Sequence, residues 1–172
     1  MKKHDYATYV HSLRVACIST SIGQGLTLAP AGLKSLYYSA LLHDLGKVDI
    51  PKSLLNRVEK LTLKEWEIIH QHPVTGAGIL QTENIPEDII AGIRTHHERW
   101  NGKGYPYGLA GENIPLAGRI IAVADALDAM TSARPYRIRP LSFDEAVGEI
   151  QSLSGQQFDP YIVNSLGVTY NT

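Results

Sequence analysis

Cysteine is nearly absent from this sequence: Cys17 is the single one in 172 residues. An internal disulfide is excluded, and so is a cysteine-built zinc site, while a lone thiol fits a reducing compartment. No apolar run approaches the ~20 residues that a membrane span needs, and Met1-Lys2-Lys3-His4 does not begin a secretory leader. Neither sign of charge dominates, with 16 Lys plus Arg against 17 Asp plus Glu, so no basic field exists to hold polymeric nucleic acid. Together these absences predict a cytoplasmic protein that meets neither membrane nor nucleic-acid polymer. An anionic ligand has to be gripped by a local cluster. Repeats, low-complexity tracts and linkers are missing too, which makes one domain over residues 1–172 the economical reading. Alternating apolar and polar runs are the last absence, and the fold class is therefore all-α.

What remains is helical periodicity. Tyr6, Val10, Leu13 and Cys17 recur at helix spacing, with Gly23 as the expected stop. Pro30 opens a second helix carrying Leu33, Leu36, Tyr37, Ala40 and Leu41 on one stripe. Thr62 with Glu65 and Ser142 with Glu145 form capping boxes. Pro73, Pro86 and Pro115 each read as the first residue of a helix, the last a long one reaching Met130, and Asp159-Pro160 begins a final short one. Between Trp100 and Gly111, four glycines and Pro106 predict a structured loop.

Polar residues stand where a core should be. Asp44 follows Ala40 by one turn on the second stripe, with His43 beside it, and a buried carboxylate is costly unless paired or metal-bound. A surface His-Asp pair at a frayed helix end is the plain alternative. The run from Ile120 to Met130 is apolar on every face except for Asp125 and Asp128, and such helices are buried. Capping or pairing with Arg would satisfy them, an explanation that suits Asp128 better than Asp125. His11 lies in line with Ala7, Val15 and Ile18 and so faces inward, where a hydrogen-bonded core histidine is the commoner case. His96 and His97 stand in tandem at a helix end, and His72 directly precedes Pro73. His4 and His70 have no such setting and are expected at the surface. The set His11, His43, His72, His96, His97, Asp44 and Asp125 is rich in nitrogen and oxygen and suits iron, manganese or zinc. It exceeds what one tetrahedral ion accepts, and a carboxylate is the natural bridge between two. Paired ions are the standard apparatus of phosphoryl displacement.

The motifs resemble a known family. His43-Asp44-Leu45-Gly46-Lys47 is similar to the signature of HD-domain phosphohydrolases, and HHERWNGKGYPYGL from His96 to Leu109 resembles that of the HD-GYP subfamily, with Gly104-Tyr105-Pro106 as the GYP. HSLRVA from His11, HPVTGAGIL from His72, ADALDAMTSARPYR from Ala124 to Arg137 and the terminal GQQFDPYIV complete the ordered set. The resemblance implies a single HD-type helical domain with a Gly/Pro-rich GYP loop, acting as a cyclic dinucleotide phosphodiesterase. Cyclic di-GMP is the first candidate substrate, with linear pGpG as product and GMP as a further one, and a hydroxide activated by two metals is the nucleophile. His11, His43, Asp44 and Asp125 would hold one divalent ion, and Asp44 would bridge to a second completed by His72, His96 and His97. Iron or manganese is expected, with zinc, nickel or magnesium able to substitute in vitro. Lys47 would face the nucleophile or a phosphate, Arg134 and Arg137 would grip substrate phosphate, and Tyr105 would touch substrate. Asp128, Gly104 and Pro106 would support the site from outside the ligand set, and a signalling protein is an expected partner for the GYP loop.

Two positions depart from the family pattern. Ala7 stands where three-metal members carry a glutamate, which argues for two ions, and Asn101 replaces the usual loop aspartate. Three alternatives stay open: another cyclic dinucleotide such as cyclic GMP-AMP, a different HD phosphohydrolase such as a nucleotidase, and a non-catalytic module that senses a dinucleotide or docks a partner.

Overall fold

A computed structural model of the chain describes residues 6–55, 57, 59–132 and 139–169. The helices are α1 (Tyr6–Gly25), α2 (Pro30–Leu42), α3 (Lys52–Leu55), α4 (Leu63–His70), α5 (His72–Gln81), α6 (Glu87–Thr95), α7 (Leu116–Thr131), α8 (Phe143–Ser152) and α9 (Pro160–Thr169). Short 3₁₀ turns occupy Leu45–Asp49 and Gly111–Asn113. Among the described residues no strand forms, only isolated bridges between Asn101 and Ala110 and between Ser154 and Phe158. The all-α expectation holds. No helix among these residues is long and apolar enough to cross a membrane.

Local chemistry accounts for most helix starts. Both capping boxes are reciprocal, with Thr62 and Ser142 accepting from the Glu65 and Glu145 amides while each glutamate reaches back to its cap. The Asp159 carboxylate accepts the Tyr161 N–H at 2.8 Å. Pro86 and Pro115 are N-caps with extended ψ, one residue before the positions expected of them. Three further differences have tertiary causes. Gly23 does not stop α1, which runs to Gly25, because Gly23 packs against Leu33 and Leu36 of α2. The buried face of α1 carries His11, Val15, Ala16 and Ile22, so Cys17 is exposed. Helix α3, which periodicity does not announce, is a single turn nucleated at the Pro51 carbonyl.

Two apolar clusters form the core. The larger joins α1, α2, α7, α8 and α9 around Ile22, Leu36, Ile120, Ile121, Leu127, Ile150, Phe158 and Ile162. The smaller joins α5 and α6 around Ala77, Leu80, Ile89, Ile90 and Ile93. Helix α2 packs on α1 and α6, α6 also meets α7, and the Leu45–Asp49 turn lies against α5. That last contact is backbone to backbone: a Cβ on Gly46 would stand 2.0 Å from the His72 carbonyl oxygen. Only glycine lets the turn after His43-Asp44 approach the helix that begins with His72.

Candidate metal centre

The site is built at helix ends. His43 caps the C-terminus of α2, His96 caps α6, and His72 begins α5 immediately after the last turn of α4. The final carbonyls of a helix have no intrahelical partner. Each of these histidines donates its Nδ1 proton to the carbonyl three residues back: His43 to Ala40, His72 to Ile69 and His96 to Ile93, all at 2.7 Å. The bond sets the ring plane and selects the tautomer, leaving the Nε2 lone pair free to point inward. His11, on α1, is oriented by Asp128 instead, at 2.7 Å from Nδ1. Arg14 forks onto the same carboxylate, which explains how Asp128 is buried.

The side-chain donors converge in two groups, His11, His43 and Asp125 in one and His72, His96 and His97 in the other, joined by a third set of His43, Asp44 and His96, with the donor atoms of each set lying within 4.8 Å of one another. Asp44 stands between the first two. Its Oδ2 is 3.4 Å from His43 Nε2 and 3.9 Å from His11 Nε2, and its Oδ1 is 3.4 Å from His72 Nε2. Asp125, partly open to solvent, approaches His11 Nε2 at 3.1 Å. His43 and Asp44 are both buried, against the surface-pair alternative.

These donors fit cations. His43 Nε2 and Asp44 Oδ1 are buried without a hydrogen-bond partner among the described residues, a costly state for polar atoms. His72 Nε2 and His96 Nε2 are 3.2 Å apart, and both Nδ1 atoms are committed as donors, so two lone pairs face each other. A shared cation relieves that repulsion. The imidazoles of the second group are also neutral, as ligands must be. Burial, helped by Lys47, holds His72 at about 4 against the pull of Asp44. Burial and the neighbouring histidines push His96 and His97 well below the usual range. His11 goes the other way: burial lowers it, but Asp125 and Asp128 outweigh this and raise it to about 9. Offering its Nε2 to an ion therefore releases a proton. Burial likewise works to raise Asp44, yet the charges around it, His43 first and then Lys47, keep its carboxyl well below the usual range. Lys47 Nζ lies 2.7 Å from Asp44 Oδ2.

The GYP loop closes over the second group. Gly104 comes so near the preceding turn that a Cβ would stand 2.5 Å from Glu98 Cα, and the Tyr105 amide donates to the His97 carbonyl at 3.2 Å. Tyr105 thereby sets its ring 4.8 Å from that of His97. Burial, with Asp44 and Asp125 nearby, raises its phenol above the usual range, so the hydroxyl stays a donor. Pro106 follows through a cis peptide. Asn101 caps its own turn, its Oδ1 accepting from Lys103, which a neutral amide does as well as a carboxylate.

Periodicity and spacing do not single out Glu98. It is only 3% exposed, and its two carboxylate oxygens accept the amides of Tyr107 at 2.7 Å and Leu109 at 3.0 Å, stapling the loop to the His96-His97 turn. The available signal was an acidic residue directly after two inward histidines. The surface expectation for His70 is also corrected: its ring is half-buried and stacks on Tyr105. His4, Arg134 and Arg137 lie outside the described residues.

The HD domain family profile matches residues 2–162. A cyclic di-GMP phosphodiesterase of Thermotoga maritima is 42% identical over 163 residues, covering 94% of this chain and 44% of the relative. The chain belongs to the HD-GYP branch of the HD domain family. A 3′3′-cGAMP-specific phosphodiesterase of Vibrio cholerae is 35% identical over 164 residues, covering 92% of this chain and 31% of the relative. The solved structure of a V. cholerae cyclic GMP-AMP specific phosphodiesterase superposes with a TM-score of 0.73 at 27% identity, covering 92% of this HD-GYP chain and 43% of that one. The chain spans less than half the length of each of these three proteins.

Proposed function

We propose that this HD-GYP domain, over residues 1–172, is a metal-dependent phosphodiesterase that opens a cyclic dinucleotide, cyclic di-GMP first, to linear pGpG. The observation that carries the reading is Asp44, a buried carboxylate with one oxygen beside His43 and the other beside His72, between two adjoining groups of imidazole nitrogens. His11, His43, Asp44 and Asp125 would hold one divalent ion, and Asp44, His72, His96 and His97 a second, with iron or manganese as the expected pair. When bound, such ions act as Lewis acids toward phosphate oxygens and lower the pKa of water to ~7.

The chain's own residues do the remaining work. Lys47, partly exposed beside Asp44, offers an ammonium to the phosphate arriving at the centre. Tyr105 presents a phenol held protonated at the rim of the second group. Arg134 and Arg137 are proposed to grip the phosphates further out, where a planar guanidinium contacts two oxygens at once. Asp128 and Glu98 hold a ligand and the loop in register. Ala7 cannot ligate, which favours two ions and a reaction that halts at the linear dinucleotide.

The likeness to 3′3′-cGAMP-specific enzymes supports cyclic GMP-AMP as the second substrate to try. The deciding experiment incubates manganese- or iron-loaded protein with cyclic di-GMP, cyclic GMP-AMP and cyclic di-AMP, and resolves products over time. Accumulation of linear pGpG supports the proposal. Rapid stoichiometric GMP removes the two-ion limit, and no hydrolysis of any substrate by protein carrying about two ions leaves a binding module.

A further inference from the structure

Three of the candidate ligand histidines are oriented by a carbonyl and His11 by a carboxylate, but among the described residues His97 has neither. Among the described residues, its ring is set by other rings: His96 at 4.1 Å between centroids, His72 at 4.9 Å and Tyr105 at 4.8 Å. The first two are themselves fixed by their Nδ1 bonds. Among the described residues the Tyr105 ring has no such bond of its own, and what bears on it is His70. The two rings lie nearly face to face, with centroids 3.9 Å apart and planes at 20°. Tyr105 in turn meets His97 at a tilt of 31°. His70 is the last residue of α4, a helix that buries none of its own residues and rests chiefly on α5. Its stack is therefore a direct link between α4 and the GYP loop, continued outward by Trp66, whose ring is 5.4 Å from His70 and which is 45% exposed.

We propose that His70 is a positioning residue: by stacking on Tyr105 it presses that ring against His97 and sets the angle at which His97 presents its nitrogen to the second ion. The inference rests on reading His97 as a ligand. What His70 supplies is a flat ring of the right size. Its nitrogens serve neither as ligand nor as proton carrier. Stacked rings adopt offset parallel arrangements readily, so a phenyl ring fills the same role.

The test uses the full chain with isotope-labelled histidine. The ring protons of His97 feel the ring current of Tyr105, and their chemical shifts report the stack without any metal or turnover. His70→Ala is expected to move those resonances and to weaken manganese affinity for the second equivalent roughly tenfold, measured by calorimetry, as loss of a ligand's outer partner does. His70→Phe is expected to restore both. Unmoved resonances and unchanged affinity in His70→Ala overturn the inference, and so does a His70→Phe variant that behaves like the alanine one, because then the nitrogens matter. If His70→Ala does not fold, His70→Gln against His70→Phe gives the same contrast, filling the space without a ring. A wild-type protein that binds no manganese overturns the ligand reading itself, whereas normal binding with unmoved resonances in the variant overturns only the role of His70.

Discussion

His43, His72 and His96 share one device, an Nδ1 proton given to the carbonyl three residues back, and its effect is to turn helix ends into lone-pair donors. Asp128 does the same for His11 from another helix. Asp128→Asn keeps the shape but weakens the acceptor, and the expected result is metal affinity lowered about ten- to a hundredfold, read by calorimetry. Asp44→Ala removes oxygens that face both groups. It is expected to lower bound metal by more than one equivalent and to abolish turnover; elemental analysis showing a single equivalent lost limits Asp44 to one ion. At this scale the sequence was informative wherever a polar residue interrupted an apolar stripe, as with His11, Asp44 and Asp125. It was silent about Glu98 and His70, whose partners lie across loops, since periodicity registers which side of a helix faces inward and not what waits there.

The close approach of the Leu45–Asp49 turn to α5 is what brings the His-Asp pair to His72. Gly46→Ala is expected to destabilise by about 1–3 kcal/mol in urea unfolding, since backbone has to shift to admit the new carbon. Gly78→Ala is its control, because nothing lies within 4 Å of that Cβ and helix propensity improves by about 1 kcal/mol. Equal effects at both positions sink the close-approach explanation. The start of α8 provides a pH reading. Arg139 and the Ser142 amide lower Glu145 to about 2. A depressed carboxyl adds stability that is whole above its unfolded value, ~4.3, and is lost as pH falls through about 2. Glu145→Gln, which keeps the shape but removes the charge, is expected to lower the melting temperature at neutral pH and to matter less as pH falls through about 2, a difference that thermal melts across that window check. Both boxes were legible because a cap is written within four consecutive residues; α3 was not, having neither length nor stripe.

Across the whole molecule the candidate donors come from both cores: His11 and Asp125 stand on α1 and α7, His72 and His96 at the ends of the helices around the smaller cluster. Ions held by these donors bind the folded chain and not the unfolded one. At a hundredfold excess over its dissociation constant, each adds about 2.7 kcal/mol. Chelation is accordingly expected to lower the melting temperature, and manganese to restore it; a melt indifferent to chelator argues against a joint centre. The all-α class, the helix starts and the inward-facing histidines and aspartates were determined by the sequence, because each depends on spacing within a few turns of one helix. Only tertiary structure decided that the Asp44 oxygens face different groups, that Glu98 staples the loop and that His70 lies on Tyr105. Those relations join residues far apart in the chain, and packing of the two cores fixes them, through contacts such as Gly46 against His72 that no local pattern encodes.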